Sequence, residues 1–321
     1  MALERDARRA YNGAAWRGKQ MKKDGALIEI HLAVLLFGLA GLFGKWLSFS
    51  PAVIVFGRVL FAGAALAAIL AVLRRPLFAR RSRDLAWFAL LGLLLAIHWA
   101  SFFRSIQVSS VAVGLLSYST FPFFTAFLEP LLLREKLERR PVLLSLACLA
   151  GVFLIIPRFT LSEAVLRGVL WGLLAGASFS LLTILNRRLR RSYDGMSIAF
   201  QQDVFAALFL APLVVVSPPS WISPRDILLM AVLGLLCTAC AHTLFINGLR
   251  SASARSASLI SSLEPVYGVS LAFVFLKEVP SARTVLGGLL ILAAVLAVSF
   301  TGKSAVPRAG GRSRPARGRP S

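Results

Sequence analysis

Acidic residues are scarce in this chain: 14 Asp and Glu stand against 36 Lys and Arg, a formal net charge of +22 over 321 residues. Charge of either sign is sparse, at 16% of residues, while 57% are hydrophobic. A soluble domain runs at about 45–50% apolar, so an ordinary water-soluble fold is excluded. The three cysteines, Cys148, Cys237 and Cys240, all fall in apolar runs, which excludes a disulfide framework. Cys237 and Cys240 make a C-x-x-C, but no further ligands accompany it, and both read as small helix-packing residues. No H-E-x-x-H, G-x-S-x-G or Walker sequence is present. The chain therefore reads as a non-enzyme with no metal site and no cofactor. Nor does the basic excess point to nucleic acid, because it gathers in loops and tails, where the positive-inside rule places it.

What the chain has instead is apolar length. Runs long enough to cross a bilayer, about 20 residues each, follow one another with short gaps. They lie at about 27–47, 52–73, 85–104, 109–133, 141–157, 165–186, 196–216, 226–249, 255–276 and 283–301. The first is not followed by a small-residue cleavage site, so it reads as a retained span rather than a signal peptide. Ten spans put both termini on one side. Basic residues number 28 on that side and 6 on the other, so both termini are expected in the cytoplasm of a multi-pass inner-membrane protein. The chain then divides into a basic cytoplasmic N-tail (1–26), a first five-helix unit (27–157), a second (165–301), and a basic tail (302–321) expected to be disordered.

One apolar stretch occurs twice. Ser119 to Leu137 reads STFPFFTAFLEPLLLREKL and Ser261 to Val279 reads SSLEPVYGVSLAFVFLKEV. A single offset of 143 aligns Pro122 with Pro265, Phe124 with Tyr267, Leu128 with Leu271, Arg134 with Lys277 and Glu135 with Glu278. The expectation is a Pro-kinked helix at the same place in each half. Apolar segments interrupted at corresponding positions of two halves point to the binding site of a secondary transporter. Five spans per half is an odd number, so the halves should be inverted relative to each other. The charge-rich loop after the first copy and the charge-poor loop after the second agree with that.

These residues carry a resemblance. With FGLAGLFGK (Phe37 to Lys45), the arginine of GRVLFAG (Gly57 to Gly63) and the two proline–apolar–Glu stretches, the chain resembles the drug/metabolite transporter superfamily in its ten-helix EamA-domain branch. The resemblance spans roughly residues 27–301. It implies an all-α polytopic membrane protein of ten transmembrane helices, built as two inverted five-helix repeats. It also implies alternating access for a small polar metabolite, amino-acid-like or drug-like, often as export. Glu129-Pro130 adds a second proline to the fourth span, a departure from the duplicated pattern. Expected partners are a small-molecule substrate and membrane lipid; a homodimer is left open. The competing class, an intramembrane enzyme acting on lipid, finds no supporting motif.

Ionisable groups within a bilayer suggest function by their cost. Counting along the helices at about 1.5 Å per residue sets Arg58 and His98 toward the outside and Glu264, Asp203 and His242 toward the cytoplasm. Glu264, beside Pro265, reads either as a substrate counter-ion or proton site or as a structural partner of His242 or another cation. Arg58 reads as a clamp for a carboxylate or phosphate, or as a fixed ion pair or snorkelling arginine. Asp203 reads first as a structural pair. His98 and Trp99 read equally as lining or packing. Tyr118, Ser119 and Thr120 before the first break, and Ser261, Ser262 and Tyr267 around the second, offer hydroxyls and rings to a cavity or to backbone freed by the kinks. Trp171 is a further candidate cavity wall. Glu135 and Glu278 read as boundary ion pairs, and Glu29 and His31 as interfacial.

Overall fold

The computed structural model describes residues 25–44, 46–78, 82–109, 111–155, 163–276 and 282–301. The expectations for both tails, and for Lys277 and Glu278, lie outside these residues. All regular structure among them is helical: α1 (Gly25–Gly44), α2 (Pro51–Val72), α3 (Ser82–Val108), α4 (Val111–Tyr118), α5 (Phe121–Leu133), α6 (Arg139–Ile155) and α7 (Glu163–Leu189). The second half continues with α8 (Gly195–Val216), α9 (Pro224–Gly234), a π-helical turn (Leu235–Cys240), α10 (Ala241–Gly248), α11 (Ala254–Ser261), α12 (Glu264–Leu276) and α13 (Ala282–Thr301). Seven helical stretches are long and apolar enough to cross a membrane. Large apolar side chains such as Val72, Leu131, Leu208 and Val216 are exposed, the surface a protein offers to lipid rather than to water.

Several helix starts follow from the local sequence. Ser50 accepts from the Val53 amide ahead of Pro51, whose missing N–H is no loss in a first turn. Ser223 and Asp226 form a reciprocal capping box at α9. Asp194 caps α8 through the Ser197 amide at 3.0 Å and its hydroxyl at 2.7 Å. Partial burial raises the Asp194 pKa, but the two Ser197 hydrogen bonds and the charges of Arg75 and Arg190 outweigh it and hold the carboxyl below its ordinary value.

The duplicated stretch is broken in both copies, and the breaks coincide. Helices α4 and α11 each run eight residues, and α5 and α12 each run 13. Every boundary obeys the offset read from the sequence: 254 − 111, 261 − 118, 264 − 121 and 276 − 133 all equal 143. The expected kink at the prolines is corrected in one respect. Pro122 and Pro265 are each the second residue of a new helix, and the chain breaks before them, at Ser119-Thr120 and Ser262-Leu263. Proline fits a first turn because no N–H is wanted there.

Each break is met by a glycine of a helix from the other half. A Cβ on Gly38 of α1 would stand 2.8 Å from the Tyr267 Cβ and 3.3 Å from the Glu264 carbonyl. One on Gly176 of α7 would stand 2.8 Å from the Tyr118 carbonyl and 3.0 Å from the Thr120 hydroxyl. Only a bare backbone lets these helices approach so closely. Helix α3 packs on α7 and α8, α2 on α8, α9 and the π turn, and α6 on α13. The core between them is aromatic and branched, with Phe88, Phe103, Phe121, Phe245, Ile54 and Leu66 wholly buried.

Candidate functional site

The breaks and the π turn place polar groups in the middle of the apolar core. Arg58 on α2 is only 2% exposed. Its Nε donates to Thr238 Oγ1 at 2.9 Å and its Nη2 to the Cys237 carbonyl at 3.1 Å. That carbonyl lies within the π turn, where the helical register is interrupted; such turns recur at functional sites. Thr238 passes the contact on, donating to the Leu233 carbonyl at 2.9 Å. The flat face of the guanidinium lies 3.8 Å from the Trp99 ring centroid, a cation–π contact that is strong when water is excluded.

Around Arg58 gather groups from three other helices. The His98 ring on α3 is 5% exposed, and its Nδ1 lies 2.9 Å from the Ala175 carbonyl of α7. A carbonyl can only accept, so Nδ1 carries a proton and Nε2 is the nitrogen turned away from this contact. Its ring stands 5.3 Å from Tyr118 and 5.1 Å from Phe179. The Tyr118 hydroxyl, at the end of α4, donates to Glu264 Oε2 at 3.2 Å. Glu264 opens α12 and is 6% exposed. Thus the last residue before one break touches the first residue after the other. A cavity of about 30 Å³ lies at this point, lined by Arg58, His98, Trp99, Tyr118 and Glu264 with Phe37, Ala40, Phe102 and Phe103. It has room for about one or two waters and is far smaller than a typical ligand pocket of about 300–1,000 Å³.

Neither acid near Arg58 is in ion-pair contact with it among the described residues, although the charges of Asp203 and Glu264 both reach it. Among the described residues Glu264 therefore has no salt-bridge partner of the kind that one reading of the sequence gave it. Asp203 on α8 is wholly buried, and both carboxylate oxygens lack a hydrogen-bond partner among the described residues. Its expected structural pair is not found there. His242 stands with its ring 5.7 Å from Trp99, on the cavity's flank, and its Nδ1 has no partner among the described residues.

The other candidates are placed differently. Ser261 donates to the Ala257 carbonyl at 3.0 Å, Ser262 to the Ser258 carbonyl at 3.5 Å and Thr120 to the Ser117 carbonyl at 2.7 Å. All three hydroxyls thus serve backbone next to the breaks. The Ser119 hydroxyl is buried with no partner among the described residues, and Tyr267 is half-buried against α1. Trp171 is 40% exposed and does not wall the cavity. Arg58, His98 and Glu264, counted to different depths from their span ends, line one cavity. Depth counted from span ends carries their boundary error, about four residues or 6 Å, and cannot follow a span that is broken.

A second polar cluster was not foreseen as a unit. Glu129 of α5 is wholly buried. Its Oε1 accepts from the Ala254 amide and Arg187 Nη1, each at 2.7 Å, and its Oε2 from the Arg255 amide at 2.9 Å and Arg255 Nε at 2.8 Å. Glu135 joins it through Arg187 at 2.9 Å and Arg255 at 3.4 Å, the boundary ion pair that the sequence suggested. A carboxylate beside an internal proline was the available signal. Among the described residues there is no group of His, Cys, Asp and Glu that could hold a metal ion.

The comparisons with known proteins agree with this architecture. The model of the EamA-like transporter family matches residues 25–156 and again 166–300. The uncharacterized transporter YxxF of Bacillus subtilis is 25% identical over 295 residues, 90% of this chain and 94% of its own length. The pseudopaline exporter CntI of Pseudomonas aeruginosa is 25% identical over 215 residues, covering 66% of this chain and 74% of its own. A solved crystal structure superposes with a TM-score of 0.74 at 19% identity, covering 87% of this chain and 98% of its own, a likeness of fold.

Proposed function

Because the chain belongs to the EamA-like transporter family, a multi-pass family of membrane transporters, we propose that it moves a small polar metabolite across the inner membrane by alternating access, in the direction of export. The observation that carries this reading is the meeting of Tyr118 and Glu264 across the two breaks, with Arg58 and His98 beside them on one cavity. Arginine, carboxylate, phenol and imidazole together suit a zwitterionic or amino-acid-like solute: Arg58 faces its carboxylate and Glu264 its amine. The named activity of CntI, export of pseudopaline, favours the same direction.

The ten-span reading treats α4–α5 and α11–α12 as one broken crossing each and α9–α10 as one crossing through the π turn. Duplication of the halves is supported by the shared offset of 143, their inversion by the odd number of crossings in each half, and cytoplasmic termini by the 28-to-6 basic asymmetry. The small cavity implies that the solute enters a second, opened arrangement. Glu129, Arg187, Arg255 and Glu135 tie α5, α7 and α11 together on the arginine-rich side, which this topology assigns to the cytoplasm.

The test is a thermal-shift screen of the purified protein against a metabolite panel, since a ligand of the folded state raises its apparent stability, followed by transport of each hit in proteoliposomes. Saturable uptake or efflux is expected. Conversion of lipid in the same vesicles, with no solute movement, would favour an enzyme instead. A C-terminal phosphatase fusion should be inactive in the periplasm; an active one would overturn the topology.

A further inference from the structure

A second cavity, of about 210 Å³, opens where α7 ends beside the α10–α11 loop. It is lined by Arg187, Arg190, Arg191 and Arg250, with Ser251 and Ser253. Two of the four guanidinium groups are answered by acids. Arg187 pairs with Glu129 and Glu135 at 2.7 and 2.9 Å, and Arg250 with Glu29 at 3.2 Å. The other two are not. Arg190 donates only to neutral oxygens, the Tyr193 carbonyl at 2.9 Å and Asn247 Oδ1 at 3.2 Å, and its Nε is buried with no acceptor among the described residues. Arg191 has no acceptor among them either. Asp194 is already engaged by Ser197 and lies 3.7 Å from Arg75.

Two positive charges thus face one polar cavity with no ion pair among the described residues, although the charges of Asp194 and Glu29 reach Arg190 from a distance. Partial burial first, and then the charge of Arg250, hold Arg190 below its ordinary pKa, against the opposing charges of Asp194 and Glu29. The start of α11 is not what would recognise a ligand, since its first two amides already donate to Glu129. Recognition falls to the guanidinium groups. They arrive from two directions, α7 and the α10–α11 loop. A planar carboxylate offers two oxygens in one plane, whereas a phosphate offers oxygens on several sides and suits guanidinium forks. The volume is larger than a bare phosphate ion needs and leaves space for the ester group.

We propose that this cavity is a binding site for a phosphate ester, at the position where the headgroup of an anionic phospholipid meets the arginine-rich face. Basic pockets at the cytoplasmic ends of membrane helices are suited to such headgroups. Only this assignment of side rests on the transport reading, and the test below measures binding, so either can fail without the other.

Full-length protein in a neutral detergent is melted against dihexanoyl phosphatidylglycerol, inorganic phosphate and dihexanoyl phosphatidylcholine. The phosphatidylglycerol is expected to raise the midpoint saturably and the phosphatidylcholine not to. Arg190→Gln and Arg191→Gln should each weaken the effect about tenfold, the scale of one charge-assisted hydrogen bond. Arg191 is exposed and makes no ion pair among the described residues, so its variant separates binding from folding should Arg190→Gln destabilise the chain. Response to phosphatidylglycerol alone assigns the site to lipid; response to phosphate alone, or to both equally, upholds the phosphate chemistry and assigns it to a soluble source. Equal response to phosphatidylglycerol and phosphatidylcholine, no response at all, or unchanged response in both variants overturns the proposal.

Discussion

Replacing Glu129 by Gln changes one atom of a wholly buried side chain that four donors reach. The amide oxygen, placed at Oε1, keeps Ala254 N–H and Arg187. The amide NH2, placed at Oε2, meets the Arg255 N–H and Nε, two donors facing a donor. Two charge-assisted bonds are lost and two buried donors are stranded, at about 1–3 kcal/mol for each stranded group. The sum, about 2–6 kcal/mol, brackets the usual cost of removing one member of a buried ion pair, about 3–5 kcal/mol. Glu135 still answers both arginines, so the variant should fold but melt on the order of 10 °C lower. The assay is the thermal midpoint in detergent, read beside folded yield. A shift within about 2 °C would falsify the view that this carboxylate is the centre of the α5–α7–α11 contact. Gln at Glu135, which is half-buried and makes longer contacts, should cost less than half as much.

Arg58→Lys keeps the charge but loses the fork to Thr238 and Cys237 and the flat contact with Trp99; initial transport rates should fall at least about tenfold at normal folded yield, and an unchanged rate would remove Arg58 from the path. Gly38→Ala and Gly176→Ala press a methyl to 2.8 Å of the opposing Cβ or carbonyl, and each should cost about 1–3 kcal/mol of stability, checked by melting; no loss would mean the helices are less close. For Asp194, whose folded pKa is lowered, the capping stability is present above the unfolded value of about 3.9 and is lost as pH falls through the folded one. Asp194→Asn should therefore melt lower than the natural protein at about pH 6, with the difference shrinking below about pH 4.

The duplicated stretch was readable because its side chains repeat at one offset, and the helix boundaries obey that offset to the residue. The position of the break was less readable: proline draws attention to itself, but it tolerates a first turn, and the chain parts two residues before it at Ser119-Thr120 and Ser262-Leu263. Glu264 was marked by its cost in an apolar run. Its partner Tyr118 was one candidate among several, since nothing in the spacing says which residue of one half meets which residue of the other. Arg58 was visible, but the carbonyl that anchors it was not, because a π turn over Leu235–Cys240 leaves no pattern in the run LLCTAC. Glu129 was read as a departure beside a second proline; its role depends on α11 and α7, which are distant in sequence.

The central claim is that the cavity where the two broken spans meet handles the solute. Transport by Glu264→Gln in proteoliposomes, measured beside its folded yield with a solute that the natural protein carries, tests it most directly. Gln keeps the size of Glu264 and an acceptor for the Tyr118 hydroxyl while removing the negative charge. The account predicts normal insertion and yield with transport reduced at least about tenfold, the value of one charge-assisted contact. Normal yield with unchanged transport would contradict it.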